Sequence, residues 1–188
     1  MYAAALDSMF AEDTTSRIVR LIGRDTMPRL VLVDRMGADP VRWLVRPAPE
    51  PPPDPATVAR GTLERRKIPR ELAEDFVVAN LRPDSLRVPL AARAPTYFAT
   101  LPSMSPAEQG ALFNRRPGQP LRGFGRPAYP KPTQILRLSR AGFSRDRRHA
   151  LVYVESYCGS LCAGGILVRL SRDGERWRVV RMLNLWVS

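Results

Sequence analysis

The chain predicts an α+β fold in which N-terminal helices and short strands pack on a C-terminal four-stranded antiparallel meander, residues 134–188, within a single domain of 188 residues. Three observations predict it. The segment Ala150-Leu-Val-Tyr-Val-Glu-Ser-Tyr-Cys-Gly-Ser-Leu-Cys-Ala-Gly-Gly-Ile-Leu-Val-Arg-Leu170 is rich in β-branched and aromatic residues and breaks once, at Gly159-Ser160-Leu161. Asp173-Gly174 lies between apolar runs, the strongest short-range hairpin signal. Helical spacing is confined to the chain before residue 115.

A three-residue loop at 159–161 sets Cys158 opposite Cys162. Stepping back then pairs Ser156 with Gly164, Val154 with Ile166, Val152 with Val168 and Ala150 with Leu170, which makes an apolar face. The alternate face pairs Tyr157 with Ala163, Glu155 with Gly165, Tyr153 with Leu167 and Leu151 with Arg169; this mixture suits a partly covered or solvated side. The helices are therefore expected on the Val152 and Val154 face. About Asp173-Gly174, Leu170 is expected against Trp177 and Val168 against Val179. Ile135–Arg140 and Ala141–Phe143 form the remaining strand, closed by the polar turn Ser144–Arg148.

Earlier in the chain, Leu6, Met9 and Phe10 mark a short helix over Tyr2–Phe10. Ser16–Gly23 and Leu30–Val33 are candidate strands, with Val41–Val45 a third. Residues 47–55 hold six prolines in nine positions and read as a surface linker or insertion of polyproline II character. Ala56–Arg66 and Pro69–Asn80 are helical, the second with Leu72, Phe76 and Val77 on one face. Leu86–Leu90 is a short strand. Ser105-Pro106-Ala107-Glu108 opens a helix to about Phe113, with Ser as N-cap and Pro in the first position. Arg115–Pro132 is loop.

The 44% of hydrophobic residues suffices for one core. No apolar run reaches the roughly 20 residues that cross a bilayer, so no transmembrane helix is expected. Met1–Leu6 lacks a charged n-region and meets Asp7 early, so it does not read as a signal peptide. Net charge is +12. Only Lys67 and Lys131 among the 30 basic residues are lysine, and with 19 prolines this is the coding of a GC-rich genome, the plain account of the charge.

Chemistry-bearing residues are few. Cys158 and Cys162 are the only cysteines, spaced C-x-x-x-C; on a hairpin they read first as a structural disulfide, then as two free thiols, and last as a redox or metal pair. His149 is the only histidine, so further His metal ligands are lacking, and it lies some seven residues, roughly 20 Å of extended strand, from Ser156. Glu71, Glu74 and Asp75 sit at helical spacing with Arg70 and read as a solvated helix face. The glycines at 123, 125, 164 and 165 lack the context of a phosphate loop, and no cofactor is implied. The remaining signal is basic: Arg115, Arg116, Arg122, Arg126, Lys131, Arg137, Arg140, Arg145, Arg147 and Arg148 face a single acid, Asp146, with Phe124, Tyr129 and Phe143 between them. Arginines and aromatics interleaved in this way follow phosphate backbones and stack bases.

Leu138-Ser-Arg-Ala-Gly-Phe143, Ala150–Val154, Cys158-Gly-Ser-Leu-Cys162 with Gly164-Gly165, Trp177 and the closing Leu185-Trp-Val-Ser188 resemble a widespread bacterial family of uncharacterised proteins. The Tyr2–Phe10 helix and Glu71–Asn80 resemble the same family's earlier elements. Many of its members carry a secretion or lipoprotein signal, so the resemblance implies a place outside the cytoplasm. The proline insertion, the Leu30–Val45 segment and the arginine-rich surface depart from the pattern. The resulting expectation is a non-enzymatic extracytoplasmic binding or structural domain with no assigned partner. The alternative is a cytoplasmic basic protein that binds nucleic acid through residues 115–148, an anionic membrane surface being the other anionic partner such charge admits.

Overall fold

The computed structural model describes residues 1, 4–5, 29–34, 38–46, 54–81, 96–101, 134–159 and 162–188; the strands 29–34 and 96–101 and residues 134, 158 and 159 are described by their backbone. The elements run β1 (Arg29–Asp34), α1 (Pro40–Leu44), α2 (Pro55–Arg65), α3 (Arg70–Ala79), β2 (Thr96–Leu101), β3 (Gln134–Leu138), β4 (Gly142–Phe143), β5 (His149–Gly159), β6 (Cys162–Asp173) and β7 (Arg176–Val187). The expected elements at Ser16–Gly23, Leu86–Leu90 and Ser105–Phe113 lie outside the described residues. So does most of Tyr2–Phe10, of which Ala4 and Ala5 are helical.

All described strands join one sheet in the order β2-β1-β3-β5-β6-β7, and β4 pairs the start of β5 where β3 leaves off. From β3 to β7 the pairing is antiparallel, so the C-terminal meander forms within an α+β fold. β1 extends it in parallel with β3 and carries β2, also parallel, on its far side. Parallel neighbours need a crossover over a face of the sheet. Between β1 and β2 the chain supplies α1, α2 and α3 for it.

Local chemistry sets the helix ends. Asp39 and Asp54 are N-caps, accepting from the backbone N–H of Arg42 (3.1 Å) and of Ala56 (3.1 Å) and Thr57 (3.3 Å), and each is followed by proline at the first helical position. These two signals correct two expectations. Val41–Val45 is not a strand, because Asp39-Pro40 starts α1 there. Pro55 belongs to α2, not to the linker. α2 ends in a Schellman turn: Lys67 has φ 62°, its N–H reaches Glu64 O at 2.8 Å, and Ile68 N–H reaches Leu63 O at 3.1 Å. Leu63 and Ile68 are both buried, which supplies the apolar contact that accompanies the motif.

The β5–β6 register is as expected from Ala150↔Leu170 to Tyr157↔Ala163. The assignment of its faces is not. Leu151, Tyr153 and Leu167 form one core with Val41, Leu44, Ala59, Leu63, Leu72, Phe76 and Val77, so α1, α2 and α3 cover the mixed face. The Val152 and Val154 face, with Leu136, Leu138, Ile166, Val168 and Leu170, is covered in part by Met1, Ala4 and Ala5. Alternation decides which residues share a face, not which face receives the helices. On the mixed face the helices also meet Glu155, whose partner from α1 is described below.

The β6–β7 register is also corrected. The turn is Gly174-Glu175, with Gly174 at φ +59°, so Leu170 pairs with Val179, and a bulge between Arg169 and Leu170 sets Val168 against Met182. The first strand of the meander is split. Ser139 sits between β3 and β4, donating its N–H to Tyr153 O (2.9 Å) and accepting Tyr153 N–H on its Oγ (2.9 Å). Behind the split, α3 lies directly on β4: a Cβ at Gly142 would meet the Phe76 backbone. Phe143 N–H donates to Asp75 Oδ2 (2.6 Å), and buried Asn80 bonds both Arg140 O (3.0 Å) and Arg140 N–H (2.9 Å).

Candidate functional site

A charged residue in the middle of a buried strand needs a partner, and Glu155, 4% exposed, has several. The Trp43 indole N–H of α1 donates to its Oε1 at 3.0 Å. Arg137 stands beside it across the β3–β5 pair, its guanidinium 5.5 Å from the centre of the Tyr157 ring. On the other side the register sets Gly165 against both Glu155 and Trp186. The Trp186 indole N–H donates to the Tyr153 hydroxyl at 2.7 Å, and a Cβ at Gly165 would collide with both groups. Trp43 and Trp186 stack at 4.2 Å and 19°, and the Arg46 guanidinium caps the Trp43 ring at 4.4 Å.

Burial pushes the Glu155 carboxyl above the usual carboxylate range, against the pull of the Arg137 guanidinium and of the bonds from Trp43 and Tyr157. Burial and the nearby Glu155 charge push the Tyr157 phenol up to about 12, and Tyr153 is raised for the same two reasons. Here the groups that carry chemistry are bonded to one another, Glu155 to Trp43 across the helix–sheet contact and Tyr153 to Trp186 within the sheet. Sequence reading misses the site, although one signal is present: Glu155 opposite Gly165 in an otherwise apolar and aromatic hairpin.

The expected carboxylate face of α3 is engaged piecemeal. Glu74 pairs with Arg70 at 3.1 Å, Glu71 stands 4.0 Å from Arg145, and Asp75 caps β4. The expectation of a disulfide across directly opposed Cys158 and Cys162 is corrected: the register shifts after Tyr157, and Gly159 pairs with Cys162. Cys162 is the one cysteine among the described side chains, and no disulfide joins two of those side chains. Cys162 is nonetheless not a free thiol.

Of the basic stretch, Arg115, Arg116, Arg122, Arg126 and Lys131 lie outside the described residues. Arg137 belongs to the Glu155 cluster, and the backbone of Arg140 is tied to Asn80. Arg145, Arg147 and Arg148 occupy the turn before β5, where Ser144 Oγ donates to Asp146 (2.6 Å) and Arg147, at φ 54°, closes the turn onto Ser144 O (2.8 Å). Arg172 N–H donates to Arg148 O at 2.7 Å, which ties this turn to the β6–β7 turn. Asp146, Arg147, Arg148, Arg172, Asp173 and Gly174 line a shallow open concavity between them. Farther along the sheet, Arg66 and Arg181 serve the end of α2, donating to Asn184 O (3.1 Å) and Arg66 O (3.4 Å).

Among the described residues no helix is long and apolar enough to cross a membrane, and no three His, Cys, Asp or Glu side chains are grouped to hold a metal ion. Comparison of the chain with protein-family models, curated proteins and solved structures finds no match.

Proposed function

We propose that the protein is a non-enzymatic binding or structural domain that works outside the cytoplasm. The observation that supports a binding or structural role is the use made of Glu155, Tyr153, Trp43 and Trp186: the Trp43–Glu155 hydrogen bond and the stack of Trp43 on Trp186 fasten α1 to the sheet, and the Trp186–Tyr153 hydrogen bond braces β7 against β5 beneath that stack. Exposed arginines gather instead at the turn end of the sheet, away from this cluster. The extracytoplasmic placement rests on the resemblance of residues 134–188. Fractionation of native-source cells, with protease access to intact cells or spheroplasts, tests it. Protein shielded with the cytoplasmic contents overturns that placement.

A second reading, a basic protein that binds nucleic acid, is favoured by a specific observation: the convergence of Arg147, Arg148 and Arg172 on one concavity. Binding to nucleic acid that falls steeply with added salt would support it.

A further inference from the structure

We infer that the composite of two turns, Ser144–Arg148 and Asp173–Arg176 with the adjoining Arg172 and Arg178, is a site for the phosphate backbone of a nucleic-acid duplex, contacted without base readout; this rests on the nucleic-acid reading above. Charge comes first. Arg145, Arg147, Arg148, Arg172, Arg176 and Arg178 stand at this end of the sheet against Asp146, Asp173 and Glu175. Two of those carboxylates are already committed: Asp146 accepts from Ser144 Oγ (2.6 Å) and Arg148 N–H (2.9 Å), and Asp173 pairs with Arg178 at 3.3 Å.

Among the described residues the Arg147, Arg148 and Arg176 side chains face no carboxylate within ion-pair distance, and all three are exposed. The backbone below them is fixed: Arg147 N–H closes on Ser144 O, Arg172 N–H on Arg148 O, and Arg172 Nε on Gly174 O at 2.9 Å. Planar guanidinium forks held on a fixed backbone suit the paired oxygens of a phosphodiester.

The chemistry also selects the form of the partner. The concavity is lined by arginine, aspartate and glycine, so no ring is offered for base stacking and no apolar side chain for insertion into a bilayer. Phe143 and Trp177, on the strands that leave these turns, pack on each other at 6.2 Å and are half-buried. Backbone contact alone favours a regular duplex and little sequence preference.

The test is fluorescence anisotropy of the full chain on a labelled mixed-sequence DNA duplex, between about 50 and about 200 mM salt. It compares the wild type with Arg147→Ala/Arg148→Ala and with Arg172→Ala/Arg176→Ala, and circular dichroism confirms that each variant is folded. Each pair is expected to weaken binding about tenfold or more and to lower the logarithmic salt slope by roughly two, near 0.9 for each phosphate no longer neutralised. The second pair is decisive, because its residues lie outside the basic run visible in the sequence. If the wild type binds and both pairs retain its affinity and slope, the site is overturned while the nucleic-acid reading stands. A wild type that fails to bind duplex at low salt overturns the site, and one that at low salt also fails to bind a labelled single strand of the same sequence overturns the nucleic-acid reading with it.

Discussion

Trp43 donates its indole N–H to the carboxylate of Glu155 at 3.0 Å, joining a five-residue helix to the centre of a sheet across 112 positions of chain. α1 is too short to be stable alone, so its place depends on this bond, on the stack of Trp43 with Trp186, and on burial of Val41 and Leu44. Glu155→Ala leaves the indole N–H without its acceptor and is expected to cost about 1–3 kcal/mol in denaturant unfolding. Glu155→Gln keeps an acceptor and is expected to cost less.

The same carboxyl sets a pH dependence. Its folded pKa is raised by burial, so the stability that the protonated form contributes is fully present below the ordinary glutamate value of about 4.3 and is lost as pH rises through the folded value. Glu155→Gln should therefore gain on the wild type as pH increases across that window. Unfolding midpoints of the two proteins at matched pH steps check it; a gap that is constant or shrinks with rising pH contradicts the assignment.

Gly142→Ala tests the contact between α3 and β4. The added methyl has backbone, not a movable side-chain end, in its way at Phe76, so α3 or β4 must shift and the cost should reach about 1–3 kcal/mol or more. Gly165→Ala, which meets the Tyr153 hydroxyl and the Trp186 indole, should also alter the near-ultraviolet circular dichroism of the tryptophan pair.

Lys67→Gly has the opposite expected sign. Lys67 occupies a left-handed conformation that glycine adopts without the roughly 1 kcal/mol penalty of a side chain, and its own backbone bond to Glu64 O does not need that side chain. A small rise in unfolding midpoint is expected, and a fall would show that the side chain contributes at the turn.

How far the sequence discloses this molecule depends on the kind of information each feature needs. The pairing of Val154 with Ile166 and Val152 with Val168 is legible because alternation and a single break leave one sensible register. Which face meets the helices is not, because both faces of β5 are buried. Trp43 and Trp186, distant in sequence, donate to Glu155 and Tyr153, and nothing in the hairpin itself announces them. The helix at Pro40–Leu44 could have been read from Asp39-Pro40, and β2 from Thr96-Tyr-Phe-Ala-Thr-Leu101, a β-branched and aromatic run. The two-residue displacement of the β6–β7 register arises at the turn and is compounded by bulges that no residue pattern announces. The arginine composite is half visible: the run ending at Arg148 is in the sequence, whereas its junction with Arg172 and Arg176 requires the β5–β6 pairing.

The division proposed for this molecule sets stability in the Trp43–Glu155 contact and duplex binding at the turn arginines. That division is tested most directly by measuring duplex affinity and unfolding midpoint together on Glu155→Gln and on Arg147→Ala/Arg172→Ala. The first variant is predicted to keep duplex affinity while its stability relative to wild type rises with pH, and the second to bind about tenfold or more weakly with its unfolding free energy within about 0.5 kcal/mol of wild type. Loss of affinity in folded Glu155→Gln, or full affinity in the arginine variant, would contradict it.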